Sequence, residues 1–391
     1  MSDVPTVKLP AFLAARLEAG HPWVYRDHVP KGFRARSGSF VKISAGEFSA
    51  FALWDERSPI ALRIFSRRQV PDAAWVRERV KSARELRQLV QSSDTNAYRL
   101  LFGEADGLPG LTADVYDRHV ALVTYADSLE AVLPWVIAAL KAELSPLSIV
   151  RRKRRGDSAG EARTEAVAGE VPAPFVVREH GMLLEVDLAH GQKTGLFLDH
   201  RDNRRFVREH AAGRRVLNLF SYTGAFSVAA ALGGARQVIS VDSAAPAGAA
   251  ARRNFELNGI DPGQHGFSDE DAFAYLERVA AEGRRFDLVI ADPPSFATSK
   301  DQLKRALRAY ARLHALCLEV TEPGGFYAAA SCTAQVSPEA FRETLAAAGA
   351  RADVDLAIIH DNGQAIDHPG RVGHVEGRYL KFMATRVTER A

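Results

Sequence analysis

Cysteine is almost missing from this chain: its 391 residues include two, Cys317 and Cys332. A disulfide framework is excluded, and neither thiol has neighbours at metal-ligand spacing, so no metal site is expected. Such sparing use of cysteine suits a reducing cytosol. Long apolar runs are missing too. No stretch of about 18 or more uncharged apolar residues occurs, which argues against a membrane span. The opening MSDVPTVKLP lacks the basic-then-apolar layout of a signal peptide, so a cytoplasmic protein is expected. Charge of one sign is also scarce. The formal net charge of +3 is too small by itself to indicate a nucleic-acid partner.

What is present is an ordinary soluble composition, 47% hydrophobic and 25% charged, over a length that needs two or three cores. The charge is unevenly spread. Residues 1–70 hold 11 Lys and Arg against 6 Asp and Glu, so this segment carries +5 and the remainder −2. That excess can face phosphates or form a solvated surface. Short apolar or alternating runs at Ser39–Ile43, Ser49–Trp54 and Ile60–Phe65 predict a small β-barrel, with a helical pattern at Ala11–Glu18 folded over it.

Residues 71–96 predict a connecting helix, because Trp75, Val76, Val80, Ala83 and Leu86 keep a helical period with basic residues on an exposed face. Residues 97–190 predict a central α+β domain. Gly107-Leu108-Pro109-Gly110 is a turn, and Leu111–Tyr116 with His119–Tyr125 predicts a strand hairpin. Ser128 is placed to cap a helix running to about Leu144, and Ser148–Val150 and Met182–Val186 predict further strands. Between these strands, Arg151-Arg152-Lys153-Arg154-Arg155 and the aperiodic segment to Pro174 predict a loop. Five cations in a row can track an RNA backbone or stand solvated.

Residues 191–391 change character. Val216–Phe220, Val238–Val241, Phe286–Ala291 and Phe326–Ala330 are strand-like and alternate with helical patterns, the last of them at Lys304–Val320. This order predicts an α/β fold with a mostly parallel, doubly wound sheet, closed by runs at Leu356–His360 and Arg378–Ala384. In such sheets ligands bind beyond the carboxyl ends of the strands. Asp292 stands there, followed by Pro293 and Pro294, which forbid both helix and further ladder pairing. Taken alone, it reads first as a strand capped by a turn-forming Asp-Pro, and the rest of the chain shifts it toward a ligand role.

The loop Ser221-Tyr222-Thr223-Gly224-Ala225 has the position of a nucleotide-binding first turn but not the GxGxxG sequence that cradles a pyrophosphate. Gly224 alone permits close approach, which suits a cofactor without phosphates and favours S-adenosylmethionine over a nicotinamide dinucleotide. Asp242 ends the next strand, where an acid binds ribose hydroxyls. Asp271 can accept from the adenine amino group, cap a helix, or do both. Cys332 ends the strand after the Asp-Pro-Pro turn. A free thiol is usually an inert buried group. At a ligand edge it can instead attack C6 of a pyrimidine and make C5 enamine-like, so that C5 accepts a methyl group. Cys317, on the preceding helix with Leu313, Leu316 and Val320, reads as core.

The chain resembles the PUA-domain-containing large-subunit ribosomal RNA methyltransferases that make 5-methylcytosine. Gly20-His21-Pro22-Trp23 is similar to the opening of their PUA domain, and Tyr98-Arg99-Leu100 with Gly103–Leu111 to their central domain. Gly191–Arg201 is similar to the segment leading into their catalytic domain, and Asp367-His368-Pro369 with Glu376–Lys381 to their C-terminus. The resemblance implies a PUA-like barrel, a central α+β domain and a Rossmann-like class I methyltransferase domain. It implies that Asn218, Phe220, Tyr222, Thr223, Gly224, Asp242, Asp271 and Asp292 line the cofactor site, with Gln192, Lys193 and Asp199 closing it. Cys332 would be the nucleophile and Asp292 would hold the cytosine edge. Ser295 stands where two-cysteine cytosine enzymes carry a second thiol, which leaves open what removes the C5 proton. The implied partner is ribosomal RNA or a large-subunit assembly particle, and a homodimer is compatible with the sequence.

Related catalytic domains that methylate guanine nitrogen share the loop and the Asp-Pro-Pro turn but lack the cysteine. A ribosome-assembly factor that binds RNA without turnover is a second alternative. A nicotinamide oxidoreductase is a third, disfavoured by the absent glycine fingerprint.

Overall fold

The computed structural model describes residues 4–153, 164–191, 195–297 and 299–390. They fall into two compact units. The first comprises Met1–Val177, Val186–Leu198 and Ile366–Gly377, and the second Arg178–Glu185, Asp199–Ala365 and Arg378–Ala391.

The first unit begins with β1 (Thr6–Lys8), α1 (Ala14–Glu18), β2 (Trp23–Tyr25), β3 (Phe40–Ala45), β4 (Phe48–Trp54) and β5 (Ile60–Ser66). The strands form one sheet in the order β1-β3-β4-β5-β2, with β1 and β3 parallel. Alternation on β3 sends Val41, Ile43 and Ala45 into a core shared with Leu13 and Leu17. The next helix, α2 (Ala73–Arg87), starts at Asp72, whose carboxylate accepts the Trp75 amide at 2.8 Å. A cap of this kind contributes about 1 kcal/mol.

The basic face expected on α2 is only partly present. Arg77 and Arg84 point outward and pair with Glu143 at 3.0 and 3.6 Å. Arg87 is fully buried, because its guanidinium fork meets both oxygens of Asp106 at 2.6 and 2.7 Å. A desolvated bidentate pair of this kind fixes orientation more than it adds net stability. It also donates to the Asp367 carbonyl at 3.0 Å, while the Asp367 carboxylate accepts the Arg99 amide at 2.8 Å.

A second sheet follows, built from β6 (Ala97–Phe102), β7 (Leu111–Tyr116), β8 (His119–Thr124), β9 (Ser148–Lys153) and β10 (Thr164–Ala168), with α3 (Leu133–Leu144) between β8 and β9. Its order is β10-β9-β8-β7-β6. Two expectations change here. Ser128 does not cap α3: it lies in a 3-10 turn, Asp127–Ala131, and Pro134 at the helix start sets the N-terminus instead. The cationic run is not wholly loop, since its first three residues belong to β9. Strand alternation buries Arg151, which pairs with Glu130 and donates to the Thr124 hydroxyl at 2.9 Å. Arg151 is therefore withdrawn from any phosphate; Arg154 and Arg155 lie outside the described residues. Two of the quoted motifs meet in this unit, where Trp23 Nε1 donates to Glu104 at 2.8 Å. A short sheet of β11 (Phe175–Glu179) and β12 (Met182–Val186) follows in the chain.

The second unit contains α4 (Arg201–Glu209), β13 (Arg215–Leu219), α5 (Ala225–Leu232), β14 (Gln237–Val241), α6 (Ala245–Leu257), β15 (Gly266–Ser268) and α7 (Ala272–Ala281). It continues with β16 (Phe286–Ala291), α8 (Leu303–Glu319), β17 (Thr321–Ser331), α9 (Pro338–Ala352), β18 (Val354–Asn362) and β19 (Lys381–Glu389). The seven strands run β15-β14-β13-β16-β17-β19-β18. From β15 to β17 every pair is parallel, and β19 pairs antiparallel with both β17 and β18. The chain leaves β13 in one direction and returns to its other side with β16. Ligands of open α/β sheets bind at that switch, beyond the carboxyl ends. Buried Leu217, Val289, Tyr327 and Leu313 hold helices and sheet together. No helix among the described residues is long and apolar enough to cross a membrane.

Candidate active site

The loop after β13 is held in an unusual backbone conformation. Phe220 and Tyr222 have φ of 57° and 46°, and Gly224 has φ of 76°. Two non-glycine residues in the left-handed region cost about 1–3 kcal/mol each, and such strain clusters at functional sites. Asp242, at the end of β14, stabilises this shape: its carboxylate accepts the Tyr222 amide at 2.8 Å and the Ala244 amide at 3.0 Å. The fold by itself already requires glycine at position 224. A Cβ there would stand 2.8 Å from that of Ala251 on α6.

Asn218 is buried on β13, and its amide donates to Ser227 at 2.8 Å, where Ser240 also donates at 2.7 Å. It braces the strand against α5. The Thr223 carbonyl accepts the Asn254 amide at 2.8 Å, while the Thr223 hydroxyl is buried with no hydrogen-bond partner. An unpaired buried hydroxyl is costly, so this loop retains a polar group that a ligand can satisfy. Asp271 caps α7, accepting the Phe273 and Ala274 amides at 2.9 and 3.1 Å. Gln192 and Lys193 lie outside the described residues. Asp199 is buried and accepts the Tyr379 hydroxyl, and its carbonyl accepts the Ala365 amide at 2.9 Å.

Asp292 follows β16 and is partly exposed. His200 Nε2 lies 3.2 Å from its Oδ2. The other ring nitrogen of His200 faces the Asn203 amide at 3.1 Å, and Asn203 in turn donates to the Gly363 carbonyl at 3.2 Å. With Nδ1 accepting, the ring proton sits on Nε2 and points at Asp292. His200 is 2% exposed and was passed over in the sequence because a histidine beside an acid has no distinctive spacing.

Cys332 follows β17, whose Ala329 is in register with Ala291 of β16, so the two strand ends are neighbours. Thr333 ties them together: its hydroxyl meets Ser295 at 3.2 Å, the Phe296 amide at 3.3 Å and the Tyr310 hydroxyl at 2.8 Å. Burial pushes the Tyr310 phenol up to about 12, and both Cys332 and Asp292 add to that rise, so both lie within electrostatic reach of one hydroxyl. Lys381, which closes the Glu376–Lys381 motif but had no role assigned to it, donates to the Thr333 and Tyr379 carbonyls at 2.7 and 2.8 Å. Burial lowers its pKa to about 8, against the opposing pull of Cys332. Among the described residues no cluster of His, Cys, Asp and Glu could hold a metal ion.

Residues 128–360 match the family model for S-adenosylmethionine-dependent methyltransferases, and residues 7–67 match that for PUA-like domains. The chain belongs to the S-adenosylmethionine-dependent methyltransferases. Two curated relatives, each named ribosomal RNA large subunit methyltransferase I, come from Erwinia tasmaniensis and Yersinia pestis. They are 37% identical to this methyltransferase over 377 and 382 residues, covering 94% of this chain and 95% of theirs. A solved chain described as a methyltransferase complexed with SAH superposes with a TM-score of 0.87 at 25% identity, covering 98% of this chain and 100% of that one. A phosphate-free cofactor fits the unpaired Thr223 hydroxyl and a first turn with one glycine. The PUA-like unit and the parallel sheet of the methyltransferase are as the sequence led one to expect.

Proposed function

We propose that this methyltransferase acts on C5 of a cytosine in large-subunit ribosomal RNA, through a covalent adduct between Cys332 and C6. The relatives' shared name supports the RNA. The carbon target is supported by one observation above all: Cys332 emerges at the carboxyl edge beside Asp292, joined to its turn through Thr333. Guanine-nitrogen chemistry needs no thiol there.

In this reading Tyr222, Thr223, Gly224 and Asp242 hold the cofactor, with Asn218, Phe220 and Asp271 shaping its surroundings and Gln192, Lys193 and Asp199 closing the site. Bound S-adenosylmethionine supplies an electrophilic methyl group. The Cys332 thiolate adds to C6, and the C5=C6 electron pair moves onto C5, which makes a poor carbon nucleophile a competent one. Asp292 accepts from the exocyclic amine of the cytosine and holds the base in plane. His200, donating to Asp292, fixes that carboxylate. Once C5 carries its methyl group, loss of the C5 proton restores the double bond and expels the sulfur. Residues 1–70, 71–96 and 97–190 grip RNA as barrel, connector and central domain, and residues 191–391 carry the chemistry. A base that is extruded or already unpaired exposes C6 to the thiol.

The test is to incubate the protein with methyl-labelled cofactor and unmodified large-subunit RNA and to map the product. The expected product is 5-methylcytosine. Label on a guanine nitrogen would overturn the assignment.

A further inference from the structure

Among the described residues, buried cations come with carboxylates. Arg63 faces Asp55 at 3.7 Å, Arg87 faces Asp106 at 2.6 Å, Arg204 faces Glu179 at 2.6 Å, and Arg151 pairs with Glu130. Lys381 is the departure. It opens β19 opposite Ser331 and is 6% exposed, yet among the described residues it donates to two neutral carbonyls. A buried ammonium on neutral acceptors lacks the charge that normally offsets its desolvation. One of those carbonyls belongs to Thr333, the residue directly after Cys332. The two hydrogens of a neutral Lys381 amine are thereby committed, its lone pair is left to take a third proton, and the group they anchor stands next to the thiol.

The other groups facing Cys332 do not favour a thiolate. Asp292, at the end of β16, would repel it, and is itself held by His200. Tyr310, from α8, is bonded to the Thr333 hydroxyl and kept neutral by burial. The Tyr379 hydroxyl is turned to Asp199.

We propose that Lys381 is the counter-ion of Cys332: the Sγ–H bond breaks, its proton forms the third N–H bond at Nζ, and the thiolate and ammonium neutralise each other in the resting site. Net charge is unchanged in this step, so the site stores a nucleophile without releasing a proton to solvent. The proposal deepens the cytosine-C5 reading and rests on Cys332 as its nucleophile. Burial alone would strip the proton from Lys381, and the opposing influence of Cys332 has the sign that a neighbouring thiolate gives. Lys381 acts through the thiol and is a positioning residue.

The experiment measures the rate of iodoacetamide labelling of the Cys332 peptide in the full-length protein as a function of pH, by mass spectrometry, with Cys332→Ala as the blank. The wild-type thiol should titrate below the ordinary value of about 8.5. Lys381→Met should move that midpoint upward and slow labelling at neutral pH about tenfold, the equivalent of roughly one pH unit. Lys381→Arg, which keeps a cation, should recover most of the rate, and SAH affinity should establish that both variants are folded. An unchanged midpoint in folded Lys381→Met overturns the ion pair, as does an arginine variant that behaves like methionine. Product mapping on wild type separates the two readings. A shifted midpoint without 5-methylcytosine leaves the pair standing and removes the C5 assignment, whereas 5-methylcytosine with an unshifted midpoint removes the pair alone.

Discussion

The two cysteines lie on consecutive elements of one unit and differ in almost everything chemistry cares about. Cys317 sits on the inner face of α8, fully buried, where burial pushes its thiol up to about 12. Its backbone carbonyl accepts the Thr321 hydroxyl at 2.7 Å, which fixes the turn from α8 into β17. Cys332 stands at the other end of β17, partly exposed, with Lys381, Tyr310 and Asp292 around it. One strand thus separates a packing thiol from the proposed nucleophile. The distinction is a matter of which edge of the sheet the residue reaches.

The largest test of that contrast is to remove each sulfur in turn. Cys332→Ala should cut turnover by at least about a thousandfold, in line with loss of a nucleophile, with SAH affinity within a few-fold by calorimetry. Cys317→Ala should leave turnover within a few-fold, and equal losses in both would dissolve the contrast. Next comes the partner carboxylate: Asp292→Asn should lower kcat by about a hundredfold, as removal of one preorganised polar group does. His200→Ala, which leaves Asp292 in place but unsteered, should cost about tenfold in kcat/KM, read from initial rates across RNA concentrations. Cys317→Ala should instead show itself in stability, lowering the urea midpoint by the equivalent of about 1–2 kcal/mol for a small core cavity. The smallest effect concerns pH. Between about 8 and the ordinary lysine value of 10.5, the unfolded chain keeps a proton that folded Lys381 has released. This group therefore adds stability as pH rises through that window, and denaturant midpoints of Lys381→Met should lack the increment.

Much of the second unit was legible because its strands are apolar, uninterrupted and end on turn-formers. Phe286–Ala291 was found to the residue, since Asp292-Pro293-Pro294 can end a strand in only one way. β10 and β11 were missed, as their short, half-exposed runs carry little periodicity, and α9 was passed over although Ser337 caps it by accepting the Ala340 amide at 3.1 Å. Among the candidate residues, the acids at strand ends could be placed from sequence alone because strand ends are marked by composition. His200 and Lys381 could not. Each acquires its meaning from a neighbour far along the chain, Asp292 in one case and Thr333 in the other, and no local spacing encodes that. Arg151 is the reverse case, where a conspicuous charge run hides a residue that alternation turns inward.

The position of β19 has a consequence for how the site comes into being. β18 precedes it in the chain, yet β18 has no other strand to pair with in this sheet. Without β19, β18 has no strand beside it and the flank of β17 next to Cys332 is uncovered. Insertion of β19 closes both gaps at once and delivers Lys381 as its first residue. On the proposed pairing, completing the sheet and arming the thiol coincide, so a chain without β19 in place would carry an ordinary, weakly reactive cysteine.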